Sequence, residues 1–351
     1  MIVKAVQPRV HVLGLGSIGT FAAHSLAEVP PPLTPSVTLL LHRASLVDQY
    51  VRNGSQITLE TREGEIVNHG NYNLEVLQDD QWHSTSSTCH DPTPNGNMTV
   101  QDDIIDHLVV SVKGPQTSSA LQPLKHRLNA SSHILFLQNG TGMIEDVKKH
   151  VFTKEETRPN FITGVISHGH HLWGWCLEAN KSLRIPRTKP YLSEALALLP
   201  RFNATSYSFL DVFQIQLEKL AVNAFCNPLC ALNDAKNKFL FTIPEIRRAL
   251  LTEISQVVCA LPELRDIPGV PERFSVERLE ATVHGIIQKT AETTCSMVVD
   301  LRRGQKTEIQ FINGYWCRRG REVGVPTPIN DKLVREILER QGDARLALDY
   351  T

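Results

Sequence analysis

The chain has 351 residues, 41% of them hydrophobic and 21% charged, with a net charge of −1. That length exceeds what one core usually serves, so two domains are expected, and the near-neutral balance offers no electrostatic ground for binding nucleic acid or an anionic membrane. No apolar run approaches the ~20 residues of a membrane helix, and the seven cysteines, scattered without a CxxC pair, read as reduced thiols in a cytosol-like compartment.

The opening stretch MIVKAVQPRVHVLGLG runs directly into a strand pattern and leaves no room for a secretory signal. The expected location is cytoplasmic, with a mitochondrial one as the alternative if a presequence is hidden there. Short apolar runs then alternate with helical patterns. The strands are Arg9–Leu13, Val37–His42, His107–Lys113, His133–Leu137 and Phe161–Ser167, and the helices Thr20–Glu28, Ser118–Leu128 and Met143–His150. Such alternation implies a mostly parallel sheet covered on both faces, an α/β domain. Pro30–Ser36 is a rigid proline-rich connection, and the polar stretch Gln78–Asp103 reads as a surface loop. His168, His170 and His171 lie in an apparent hairpin turn without a carboxylate or cysteine at ligand spacing, so no metal site is expected there. Trp173 and Trp175 follow on one face of a strand.

From about Asp211 the pattern is helical only. Leu217–Pro228 comes first, and Thr242–Glu245 resembles a capping box with proline just inside the helix. Further helices are expected at Ser275–Thr293, Lys306–Val323 and Pro328–Arg340. The boundary falls near Pro200–Ser208, dividing a dinucleotide-binding domain, 1–204 with the polar insertion at about 78–103, from an all-α domain, 205–351.

The stretch GLGSIG (Gly14, Gly16, Ser17, Ile18, Gly19) fits GxGxxG, with a strand before it and the amphipathic TFAAHSLAEV after it. In that context Gly14 permits the tight turn, Gly16 lets a pyrophosphate approach the backbone, and Gly19 lets helix pack on strand, while the helix N-terminus offers free N–H groups to phosphates. The next strand ends at Arg43, where an NAD site would usually carry Asp or Glu; arginine suits a 2′-phosphate and hence NADP. Lys113, Gln116 and Asn139 stand at two further strand ends, where ligands of open α/β sheets bind.

In LEKLAVNAFCNP, Lys219, Asn223 and Asn227 recur every fourth residue and therefore share one face of a helix. A lysine set among apolar neighbours has a lowered pKa, which suits proton transfer near neutral pH. Pro228 should break or kink this helix. Ser296 and Glu308 supply a hydroxyl and a carboxylate from SMVVDLRRGQKTEIQFINGYW. Ketone reduction needs a hydride donor, a proton donor and positive charge where the alkoxide develops; a lysine supplies the last two, and no metal is required.

With GLGSIG, VKGPQ, LQNGTG, KLAVNAFCNP and SMVVDLRRGQKTEIQFINGYWCRRGREVGVPTP in this order over nearly the whole chain, the sequence resembles the ketopantoate reductases (2-dehydropantoate 2-reductases). The resemblance implies a Rossmann-type domain followed by an all-helical one, with the active site in the cleft between them. It implies NADPH-dependent reduction of the small 2-keto acid ketopantoate in pantothenate and coenzyme A biosynthesis, by a monomer or homodimer. Lys219 then matches the catalytic lysine and Glu308 the carboxylate near it. Asn223, Asn227 and Ser296 match substrate positions, and Asn139, Lys113 and Arg43 cofactor positions. Cys295 stands where the family commonly has a second serine, and Gln310 where it often has aspartate. These departures leave open an enzyme of the same build acting on a different 2-keto acid. A non-catalytic NADP-binding sensor or scaffold, using the polar insertion as its partner surface, is the other alternative.

Overall fold

In the computed structural model, the structure describes residues 7–61, 64–85, 98–99, 103–166, 173–178, 191–199, 201–343 and 348–350. Contacts divide the chain into two compact units, Met1–Gln138 with Ile144–Phe209, and Asn139–Met143 with Leu210–Thr351.

The first unit begins β1 (Arg9–Leu13), α1 (Ser17–Ala27), β2 (Ser36–Leu41), α2 (Ala44–Arg52) and a separate antiparallel hairpin, β3 (Gln56–Glu60) and β4 (Ile66–Gly70). It continues with β5 (Asn73–Gln78), β6 (Gln81–Thr85), β7 (Met98–Thr99), β8 (His107–Val110), α3 (Thr117–Leu121), β9 (His133–Phe136), α4 (Met143–His150), β10 (Asn160–Val165), β11 (Trp173–Glu178), α5 (Tyr191–Leu198) and β12 (Ala204–Ser206). The ten-stranded sheet has the order β12-β11-β10-β9-β8-β1-β2-β5-β6-β7. From β5 to β10 every pairing is parallel, while β6, β7 and β11 join antiparallel to their inner neighbours. The reversal of strand order on either side of β1 is that of a doubly wound dinucleotide-binding sheet. Val10, Val12, Leu39, Leu41, Leu74, Val109, Leu135 and Ile162 fill its core.

All five expected strands are present, within a few residues of their expected ends, as is the strand of Trp173 and Trp175, whereas β3 to β7 and β12 were not foreseen. β5, NLEVLQ, has its apolar run interrupted by Glu75. That carboxylate is nonetheless buried, because Arg127 donates to both of its oxygens at 2.6 and 3.1 Å. The polar stretch Gln78–Asp103 is not all loop: Gln81–Thr85 forms β6, antiparallel to β5, and buries Trp82; residues 86–97 and 100–102 lie outside the described residues. His168, His170 and His171 also lie outside them. The helix expected over Ser118–Leu128 is α-helical only to Leu121 and then tightens into 3-10 turns over Gln122–Arg127, where Pro123 has no N–H to give an α-helical ladder.

The second unit is helical: α6 (Phe209–Leu232), α7 (Pro244–Ala260), α8 (Val270–Arg273), α9 (Val276–Lys289), α10 (Ser296–Arg302), α11 (Asn313–Val323) and α12 (Pro328–Arg340). Leu217, Phe225, Ile254, Val258, Trp316 and Ile337 belong to its common core. No helix among the described residues is long and apolar enough to cross a membrane.

Two local expectations fail here, and of a third, that Pro228 breaks or kinks its helix, the break does not occur. The capping box at Thr242–Glu245 does not form: Thr242 Oγ1 donates back to the Phe239 carbonyl at 2.7 Å, and Ile243 takes the cap position before Pro244. The helix expected from Lys306 starts only at Asn313, after a 3-10 turn over Ile309–Phe311. Pro228 does not end its helix, because α6 runs through it to Leu232. A helical proline deprives the carbonyl four residues earlier of its donor; here that carbonyl, Ala224, accepts from Asn313 Nδ2 at 2.9 Å. The same Nδ2 donates to Asn330 Oδ1, and Asn330 Nδ2 to Glu253, whose carboxylate also accepts the N–H groups of Ile329 and Asn330 at the start of α12. This buried polar network lets α6 keep its proline.

Candidate functional site

At the carboxyl edge of the parallel sheet, Leu13 of β1 lies level with Leu40 of β2 and Val110 of β8. The turns that follow these strands carry Gly14–Gly19, Arg43, and Lys113 with Gln116. Gly14 has φ +94°, and a Cβ on Gly19 would stand 1.8 Å from the Gly14 carbonyl oxygen. Both positions therefore exclude a side chain for reasons internal to the fold. Gly16 differs: a Cβ there would meet nothing within 4 Å.

Gly16 is the N-cap of α1 and no side chain caps that helix, so the first-turn N–H groups of Ser17, Ile18 and Gly19 have no side-chain acceptor. An open approach to uncapped N–H groups fits a dinucleotide pyrophosphate. Gly16, Ser17, Thr20 and Ile57 line a cavity of about 320 Å³ beside this turn. Ser111 Oγ donates to the Gly14 carbonyl at 2.7 Å, and Gln138 Nε2 to the Val112 carbonyl at 2.5 Å and to Thr117 Oγ1 at 2.7 Å. These two supports had no motif to announce them. Arg43 is exposed at the start of α2 with extended backbone, Lys113 is half-buried, and Gln116 is exposed. A 2′-phosphate beyond β2 would find the Arg43 guanidinium unburied.

In the second unit, Lys219 lies in the middle of α6, and its Nζ donates to Asn139 Oδ1 at 2.9 Å. Part of the side chain keeps solvent contact, yet its surroundings are dense enough for burial to push the amine down to about 8, with the negative charge of Glu308 acting in the opposite direction. Desolvation dominates, so the ammonium form is less favoured than in water and can release its proton near neutral pH. Asn139, read from sequence as a strand-end ligand, is here the amine's hydrogen-bond partner. Its loop is fixed by Thr141 N–H to the Phe311 carbonyl at 2.8 Å, and a Cβ on Gly140 would stand 2.6 Å from that same oxygen.

Glu308 precedes the 3-10 turn that contains Phe311. Thr307 N–H and Oγ1 both donate to Gln341 Oε1 at 3.0 Å, and Arg318 Nη1 donates to the Gln310 carbonyl at 2.8 Å, so the turn is clamped on both sides of the carboxylate. Asn227 is buried and Asn223 half-buried on the Lys219 face of α6. The Cys295 thiol donates to the Asn227 carbonyl at 3.6 Å and so seats Ser296, the first residue of α10, beside that turn of α6. The fold thus brings Lys219, Asn139 and Glu308 together, and Asn227 with Ser296. Asn313 was missed. The proline one residue after Asn227 was its signal, since a helix that survives proline needs a donor for the freed carbonyl.

The Ketopantoate reductase PanE/ApbA family model matches residues 10–176, and its C-terminal counterpart residues 211–341. A probable 2-dehydropantoate 2-reductase of Schizosaccharomyces pombe is 25% identical over 95% of this chain and 96% of its own. The 2-dehydropantoate 2-reductase of Vibrio cholerae is 30% identical over 66% of this chain and 76% of its own. A ketoisovalerate reductase of Gibberella fujikuroi is 24% identical over 88% and 77%. Among solved structures, a D-mandelate dehydrogenase with NADH and anilino(oxo)acetate superposes with a TM-score of 0.69 at 18% identity, over 96% of this chain and 99% of that one, which is a likeness of fold. With both halves matched in order, and with the doubly wound sheet and helical unit that carry those matches, the chain belongs to the ketopantoate reductase family.

Proposed function

We propose that the protein reduces 2-dehydropantoate to pantoate with NADPH, a step of pantothenate and coenzyme A biosynthesis, and that Lys219 is its general acid. The observation that carries this reading is the Lys219 amine, directed by Asn139 Oδ1 at 2.9 Å and lowered to about 8 by burial. The bound nicotinamide supplies the hydride. Gly16, Ser17, Ile18 and Gly19 hold the pyrophosphate through backbone N–H groups, and Lys113 and Gln116 lie at an adjoining strand end. The exposed Arg43 guanidinium would bind a 2′-phosphate, which favours NADPH over NADH.

Asn223, Asn227 and Ser296 bind the keto acid by hydrogen bonds that add no charge. Lys219 Nζ donates to the ketone oxygen, stabilises the negative charge that grows there, and transfers its proton to that oxygen as the C2 hydroxyl forms. Glu308 keeps the amine protonated until the transfer. A lysine near 8 is mostly charged at neutral pH, yet has a smaller barrier to giving its proton up than an exposed one.

A second reading is that the same machinery prefers another 2-keto acid. It is favoured by the ketoisovalerate reductase among the relatives and by Cys295 and Gln310, where the family commonly has serine and aspartate. NADPH oxidation, followed by absorbance with ketopantoate, ketoisovalerate and other 2-keto acids and with NADH in parallel, separates these possibilities. Lys219→Ala is expected to lower kcat by about 10²–10⁴ while NADPH still binds. Near-normal turnover by that variant would end the lysine mechanism, and a clear preference for another keto acid would replace the substrate.

A further inference from the structure

One polar cluster in the first unit has no part in this chemistry. His24 and Glu28 are one turn apart on α1, and His69 reaches them from β4. His24 is fully buried and its Nε2 is 3.1 Å from the Val67 carbonyl oxygen. A carbonyl only accepts, so Nε2 carries the proton and Nδ1 presents a bare lone pair. That lone pair faces Glu28 Oε1 at 4.0 Å, and His69 Nε2 faces the same oxygen at 3.6 Å. Neither nitrogen has a hydrogen-bond partner among the described residues, although both atoms are buried. A lone pair aimed at a carboxylate oxygen in a buried setting is repulsive unless a cation lies between them.

We propose that His24 Nδ1, His69 Nε2 and Glu28 Oε1 bind a divalent transition-metal ion, zinc foremost, which ties α1 to the β3–β4 hairpin. Two imidazoles and a carboxylate are a donor set suited to zinc, with water as the fourth ligand. The His24 Nε2–H bond to a backbone carbonyl is the outer contact that a metal-bound histidine usually makes. Ligands about 2.0–2.1 Å from a tetrahedral ion are roughly 3.4 Å apart, so the observed 3.6 and 4.0 Å require shifts of a few tenths of an ångström. All three ligand atoms already lie within 4.8 Å of one another. Arg201 Nε donates to both Glu28 oxygens at 2.9 Å, which orients the carboxylate and also weakens its hold on a cation. His69 pairs with Ile57, and both Ile57 and His24 line the cavity beside the glycine turn, so the ion would stiffen one wall of that cavity.

The proposal stands apart from the reductase reading, and its test needs no turnover. The full chain, stripped with a chelator and dialysed, is titrated with zinc chloride by calorimetry. One ion per chain is expected, with a rise in Tm, and cobalt(II) should give a visible spectrum with nitrogen ligands in X-ray absorption. His69 keeps partial exposure, so His69→Gln should fold, which circular dichroism checks, and lose zinc affinity at least tenfold. Absence of saturable binding, cobalt coordinated by oxygen alone, or unchanged affinity in His69→Gln would overturn the site.

Discussion

Each unit of this molecule buries a charged group, and each treats it differently. In the sheet unit, Glu75 lies in the middle of β5 and receives both arms of Arg127, itself fully buried. Burial pushes the carboxyl up, but bonds from His11 and Arg127 outweigh it and bring it down to about 2. In the helical unit, the Lys219 amine donates to the Asn139 amide oxygen and feels the through-space pull of Glu308, and there burial wins, taking the amine to about 8. A buried charge whose partners outweigh its burial holds structure; one for which burial prevails is ready to exchange its proton near neutral pH.

The largest break in this contrast should come from Arg127→Met. It strands the Glu75 carboxylate in the core and is expected to cost about 3–5 kcal/mol in chemical denaturation. In the native protein the Glu75 contribution is fully present above the ordinary carboxyl value of 4.5 and is lost as pH falls toward about 2. The variant should therefore unfold in acid at a distinctly higher pH. Retention of wild-type acid stability would show that the pair does not hold the strand.

Asn313→Leu should cost less, about 1–3 kcal/mol, by leaving the Ala224 carbonyl unpaired beside Pro228. Because that turn of α6 carries Asn223 and Asn227, KM for the keto acid should rise more than kcat falls. An unchanged KM would make the network purely structural.

The smallest and most diagnostic effect is a pair of opposed pH profiles. The folded Lys219 amine is lowered from 10.5 to about 8, so the unfolded chain binds more protons between these values. Its cost to stability is full below about 8 and disappears as pH climbs from about 8 to 10.5. The rate of keto acid reduction should fall over the same window as the acid loses its proton. Glu308→Gln removes the charge that raises the amine, so both profiles should move to lower pH, and Lys219→Met should abolish the stability component. Profiles that ignore Glu308 would remove the carboxylate from the mechanism.

The sequence was most informative where a local pattern had one meaning. The five inner strands of the sheet, the glycine turn and the fourfold spacing of Lys219, Asn223 and Asn227 could all be read because apolar periodicity or a motif expressed them directly. β5 was hidden because Glu75 looks solvent-facing until Arg127, far along the chain, is seen to neutralise it. β6 was hidden because Trp82 alone carries its burial. The Lys219–Asn139 bond and the Asn313 support for Pro228 join residues distant in sequence, and no spacing rule reports such pairs. Pro228 left a break or a kink open, and the break is averted by a tertiary donor that no local pattern announces.

The stretch Asn139–Met143 is counted with the helical unit although its chain neighbours on both sides belong to the other. As a matter of modular engineering, residues 210–351 are therefore not a separable cassette. A chimaera that grafted them from a relative would pair the donor's lysine with the recipient's asparagine, and the loop docked on Phe311 would come from the recipient too. Shuffling within this family should respect that border, and a crossover that carries Asn139–Met143 along with the helices would keep the amine and its orienting amide from one parent.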